Sequence, residues 1–343
     1  MGRTFLLLLT ALLLWRQDAS ATVLTVYNLN NTAIADYANI YEAYNNAADG
    51  DTILLYPSDL SYEANLVVTK RVFLIGGGYG SQPLLPATRL CGTITFQAGA
   101  DGASVESFGG RFNIAINEAN HILVSRNHIN TIVIENSYNA LLTGNLIDGN
   151  SGSDGYVLVL NGNCLVEGSN NLLRPQPYPC GYSSTCYYGA VHMRGSSVLH
   201  MDNSIFISEG QLTIYAEGGS TSGKNNLIFG AFRGAVDFHH SIQTNPWNYD
   251  GKLDTTTISK NNQIIPDISV VYTDFAANIF TLKQGSPAFG NGEDGSNISI
   301  YDGASPFVDG GFPKLPLITH LDVPLTGSQT EGINVSIKVK SQN

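Results

Sequence analysis

The sequence predicts an all-β solenoid: a right-handed parallel β-helix with an N-terminal capping helix and an irregular C-terminal tail. Three observations carry that prediction. Seven short segments with alternating apolar residues begin at positions 92, 112, 130, 155, 189, 210 and 234. A unit of about 20 residues with variable insertions is how a chain encodes stacked coils. Most of these segments are followed by an Asn-x-Ile or Asn-x-Leu step, as in Asn127-His-Ile129 and Asn145-Leu-Ile147. Finally, no long amphipathic stretch separates the strands, which excludes the alternating strand-and-helix folds.

At the N-terminus, Arg3, an apolar run over residues 5–15 and Ala19-Ser-Ala21 form an export signal of residues 1–21. The run is shorter than the roughly 20 residues a membrane span needs, so the mature chain has no transmembrane segment. The expected location is secreted or at the cell surface. Residues 22–50 give a lead strand over 23–27 and a helix over 35–48, where apolar residues fall at helical spacing. That helix has the task of covering the open end of the stack.

Residues 51–305 form the coils. Side chains alternate between faces in a strand, so the inward pairs read Ile94/Phe96, Ile114/Ile116, Ile132/Ile134, Val157/Val159, Val191/Met193, Leu212/Ile214 and Val236/Phe238. Stacked at roughly 4.8 Å per coil, seven rungs give a core about 34 Å long. A second ladder runs through Asn127, Asn145, Asn171, Asn203, Asn226 and Asn262. Asn tolerates left-handed backbone angles, and stacked amides hydrogen-bond along the stack. Residues 306–343, broken by Pro306, Pro313, Pro316 and Pro324, form a C-terminal extension whose strand candidate spans 334–339.

These features resemble the right-handed parallel β-helix proteins of the pectin-lyase-like superfamily. Gly285-Ser-Pro-Ala288, Asn291-Gly292 and Asp302-Gly-Ala304 are similar to the closing segment of many secreted bacterial members. The resemblance covers about residues 50–305. It implies the architecture but not one activity, since the superfamily includes lyases, hydrolases, epimerases, adhesins and uncharacterised surface proteins.

Composition narrows the partners. Net charge is −11, and −12 once the signal is removed, so the basic surface that nucleic-acid binding needs is missing. Export permits disulfides; Cys180 and Cys186 could pin one excursion and Cys91 and Cys164 could bridge coils, with three pairings open. No Cys/His spacing suggests zinc. Asp148 to Asp154 is calcium-like but lacks Gly at the sixth position and Glu at the twelfth. His239 and His240 point to opposite faces of one strand and do not share a metal. No metal and no cofactor are expected.

Chemistry gathers on the outward side of the later coils. Arg194, Tyr215, His239 and Asp237 are the candidate catalytic residues, with His192, Glu217, Tyr187, Trp247 and Tyr249 as candidate substrate-binding residues. Two columns, one through Arg194, Tyr215 and His239 and the other through His192 and Asp237, would stand within reach of one sugar ring. An Arg can neutralise a uronate carboxylate, and Tyr or His can exchange a proton in β-elimination. Glu217 and Asp237 would be the pair for an inverting hydrolase. The excursion over 174–188 and the segment holding Trp247 and Tyr249 offer flat apolar rings. No paired Asp-Asp and no Arg-x-Pro-x-x-Arg strand is present. Three readings follow: a protein contacting polysaccharide or cell-surface glycan, a polysaccharide lyase or related enzyme, and a structural stalk or adhesin.

Overall fold

The structure is a computed structural model that describes residues 21–29, 34–80, 86–149, 155–176, 189–244, 251–275, 279–322, 333 and 335–340. The export signal therefore lies outside the described residues, except for Ala21. No helix among the described residues is long and apolar enough to cross a membrane.

Among the described residues, 22 strands join in one sheet, and its pairings are parallel throughout. Register sorts them into three faces. Face A stacks Val23–Val26, Thr52–Leu55, Phe73–Ile75, Ser104–Glu106, Leu123–Ser125, Tyr138–Thr143, Leu165–Ser169, Val198–Asp202, then 220–224 and 235–239. Face B includes His128–Ile129, Leu146–Ile147, Leu172–Leu173, 205–207, 227–229, Ile242–Thr244 and Gln263–Ile265. Face C runs from Leu66–Val68 through Thr131–Glu135, Tyr156–Asn161 and Gly189–Arg194 to 231–233. Each coil passes A to B to C. Parallel strands connected in this way wind right-handed. The molecule is a parallel β-helix.

Helix α1 (Ile40–Asn46) is shorter than the predicted span. Tyr37 is bridged to Val26, and the Asn39 side chain accepts the Glu42 backbone N–H at 2.9 Å, which sets the start. Ile40, Ala43 and Tyr44 are buried at the N-terminal end of the core.

Two of the predicted inward pairs are corrected by register. Ile132 and Ile134 stand against Leu158 and Leu160, not Val157 and Val159. The run Val157-Leu-Val-Leu160 is apolar at each position, so alternation could not choose, and a one-residue slip reverses every side chain. Ile214 stands against Phe232 on face C, whereas Val236 pairs with Thr221 on face A. The spacing from 210 to 234 hides an extra short coil: the chain turns at 218–219 and passes all three faces again before Gly234.

The amide ladder is present between faces A and B, with substitutions. The Asn127 N–H donates to Asn145 Oδ1 and the Asn145 N–H to Asn171 Oδ1, each at 3.0 Å. The Asn171 N–H then donates to Ser204 Oγ, Ser204 N–H to Asn226 Oδ1, Asn226 N–H to Ser241 Oγ and Ser241 N–H to Asn262 Oδ1. Asn203 is not a rung. It belongs to the preceding column (Arg126, Asn170, Asn203, Asn225, His240, Asn261), whose φ angles of 45–57° are left-handed.

That column has a second use. Beyond Ile265 the chain does not add another coil to the sheet; residues 286–316 run back along the outside of face B as a strap. Asn261, Asn203 and Asn170 donate side-chain bonds to the carbonyls of Asn291, Ser299 and Ile300, Asn225 Oδ1 accepts the Glu293 N–H at 2.8 Å, and Arg126 donates to the Phe312 carbonyl at 2.9 Å. Under the strap a second core buries Leu172, Ile205, Leu227 and Ile242 against Ile298, Ile300 and Phe307. The closing motif at 285–304 thus lies along the stack. Residues 312–316, expected in the extension, cover residues 54–57 and 76–77. In the tail, Leu317–Asp322 pairs antiparallel with Ser336–Lys340.

The expected bridge between Cys91 and Cys164 does not form; both are free, one exposed and one buried. Three rungs separate them, roughly 14 Å, whereas a disulfide needs Cα atoms within about 7 Å. Cys180 and Cys186 lie outside the described residues. Brief iodoacetamide treatment of the native protein is expected to alkylate Cys91 and spare Cys164 until denaturant is added. Peptide mass mapping reads the result, and equal labelling of both in the native state would contradict this packing.

Candidate functional site

On face C the later coils carry a ring stack. His192 lies between Tyr156, tilted by 42° with centroids 4.8 Å apart, and Tyr215, stacked nearly parallel at 12° with centroids 5.0 Å apart. Register builds the stack: His192 is paired with Tyr215, and Tyr215 with Arg233. The Arg233 guanidinium sits 6.0 Å from the Tyr215 ring, at the edge of cation–π range. His192 has only 7% of its side chain exposed.

Glu217 links the group. Its Oε1 accepts from the Tyr215 hydroxyl and its Oε2 lies against His192 Nε2, both at 3.3 Å. Arg194 pairs in register with Glu217. The column continues into earlier coils through Asn161 and Glu135, where the Asn161 amide donates to the Glu135 carboxylate at 3.1 Å.

Arg194, Tyr215, His192 and Glu217 are therefore brought together, but in other columns than the sequence suggested: Tyr215 aligns with His192, not with Arg194. Asp237 and His239 are separated from them. They sit on face A, around the corner at 218–219, with Asp237 opposite Ser222 and His239 opposite Lys224. The Glu217/Asp237 pair consequently does not straddle one groove. Tyr187, Trp247 and Tyr249 lie outside the described residues.

The face A group includes residues the sequence reading missed. His200, Asp202, Ser222, Lys224 and Glu293 join Asp237 and His239 around a cleft of about 270 Å³. Lys260 donates to Asp237 at 2.8 Å, which holds that carboxyl below its usual range. Glu293, from the strap, pairs with Lys224 and raises the ammonium pKa. His200 and Asp202 are two apart in a strand, a visible same-face signal. Tyr156 and Arg233 were also missed, and only register recruits them.

The calcium-like run resolves differently. Asp148 meets His128 at 2.5 Å and Arg174 at 2.9 Å. Burial pulls its carboxyl upward, but these bonds outweigh burial and leave it below the normal value. Among the described residues no group of three or more His, Cys, Asp or Glu has a geometry able to hold a metal ion.

Fold and surface together define a parallel β-helix with polar, aromatic-lined outer faces. Among solved structures, pectate lyase Pel9A is similar in fold: 10% identical, covering 84% of this chain and 96% of that one, with a TM-score of 0.43. No family model matches the sequence, and no curated protein matches it either. The assignment of fold rests on the strand pairings themselves.

Proposed function

We propose that this β-helix acts at the cell exterior by binding polysaccharide along the outward side of face C. The observation that carries the reading is the partly exposed Tyr215 ring, backed by the buried His192 and Tyr156 rings and flanked by Arg233 and Glu217. The Tyr215 ring offers apolar area to a sugar face, while Arg194, Arg233 and Glu217 supply directional bonds to hydroxyls or a uronate carboxylate. Tyr187, Trp247 and Tyr249 are further candidate sugar contacts in this reading.

The test is a glycan panel followed by calorimetry. Tyr215→Ala is expected to weaken binding roughly tenfold, because it removes a stacking surface and frees Glu217. Silence across pectate, alginate, glycosaminoglycans and neutral glucans would overturn the proposal and leave the stalk reading.

One observation favours a second reading, a polysaccharide lyase. Glu217 accepts from both His192 and Tyr215, which would orient the tyrosine for proton exchange with Arg194 beside it. His239 takes no part in that set because it faces another side. Ultraviolet absorbance of an unsaturated product from pectate would establish the lyase.

A further inference from the structure

We propose that face A carries a separate site, one that hydrolyses small carboxylic esters through Ser222. His200 Nδ1 lies 3.0 Å from Ser222 Oγ, and its Nε2 lies 3.2 Å from Asp202 Oδ1. A hydroxyl, an imidazole and a carboxylate in that order are a nucleophile, its base and the group that orients the base. The ring is used in the reverse sense to serine proteases, with Nδ1 turned to Ser222 and Nε2 beside the Asp202 carboxylate.

The coil architecture assembles the three. His200 and Asp202 stand two residues apart on one face of one strand, and register sets Ser222 directly against His200 on the next coil. Asp202 is fixed in turn by the Lys224 N–H, which donates to its Oδ1 at 2.9 Å. Next to Ser222, Gly223 has φ of +147°, and a Cβ there would fall 1.7 Å from the Met201 carbonyl oxygen. Only glycine lets the backbone approach so closely, which seats the adjacent serine against the imidazole.

The surroundings suit acyl transfer. The three residues line the 270 Å³ cleft, which also holds Lys224 two positions from Ser222 on the same face. Asp237, opposite Ser222, has its charge met by Lys260. In the reaction Ser222 Oγ bonds to the ester carbonyl carbon as His200 takes the hydroxyl proton, and the resulting oxyanion forms in a cleft whose Lys224 ammonium is paired with Glu293. The carbon–alkoxy bond then breaks, and His200 returns the proton to the departing alcohol. Water cleaves the acyl-serine by the same sequence and releases the acid. A cleft this small takes a short acyl group such as acetyl, and its open side leaves room for a bulky alcohol, as on an acylated sugar.

The test uses the full chain with p-nitrophenyl acetate and a fluorophosphonate label. The expected results are a phosphonyl adduct on the peptide containing Ser222 and a nitrophenolate burst equal to enzyme. Ser222→Ala should abolish both adduct and burst, and His200→Gln should slow acylation by at least about 100-fold. Asp202→Asn should reduce the rate and disturb the pH profile as a positioning residue does. Ser222 is partly exposed, so its alanine variant removes no core atom. Turnover at the uncatalysed rate without label, or Ser222→Ala retaining wild-type turnover, would overturn the proposal. Neither outcome bears on glycan binding at face C.

Discussion

Asn145→Ala is expected to lower the folding free energy by about 3–4 kcal/mol, more than any outward substitution discussed above. The Asn145 side chain is fully buried and makes four bonds. Its Oδ1 accepts the Asn127 N–H at 3.0 Å and the Asn127 amide at 3.3 Å, while its Nδ2 donates to the Val124 carbonyl at 2.8 Å and to Asn171 Oδ1 at 3.0 Å. Alanine leaves a backbone donor and acceptor without partners where no water reaches, and each costs roughly 1–3 kcal/mol. The loss is partly cooperative, because neighbouring rungs polarise one another. Urea unfolding followed by circular dichroism reads the change. A midpoint within 1 kcal/mol equivalent of wild type would mean that the ladder records the packing of the coils without stabilising it.

The second large effect concerns the strap. Asn170→Ala combined with Asn225→Ala is expected to destabilise by about 3–5 kcal/mol and, more tellingly, to act at a distance. Asn170 donates to the carbonyls of Ile300 and Asp302, and Asn225 accepts from the Glu293 N–H. Both also occupy left-handed backbone positions that alanine tolerates poorly. Ordinary solenoids are stabilised by neighbour contacts alone, so a local change stays local. Here residues 312–316 of the same strap lie over residues 54–57, many coils away. Loosening it near Asn225 should therefore speed hydrogen exchange in Thr52–Leu55 as well. Exchange confined to the coils around residues 170–226 would show that the strap is a passive cover.

These cases also show how far residues alone reached. The stacked-coil plan, most inward apolar files and most ladder positions were legible, because a two-residue period is local and needs no partner to be read. The pair Asn170-Asn171 marks where that stops. Both are asparagine at a corner, yet one turns inward as a rung and its neighbour turns outward to hold the strap. Nothing local separates them; the strap does, and it arrives from 130 residues further on. The same limit split the candidate site. His239 looked like the next member of the Arg194 column because one short coil, with its corner at 218–219, was invisible as a spacing.

From the order of residues follow the stacked coils, their greasy interior and the residue types available for chemistry, since alternation and turn preference are short-range properties. Which side chains stand above one another had to come from the folded molecule. Register is set where each coil packs on the next, and it is this stacking that puts His192 over Tyr215 and Ser222 beside His200.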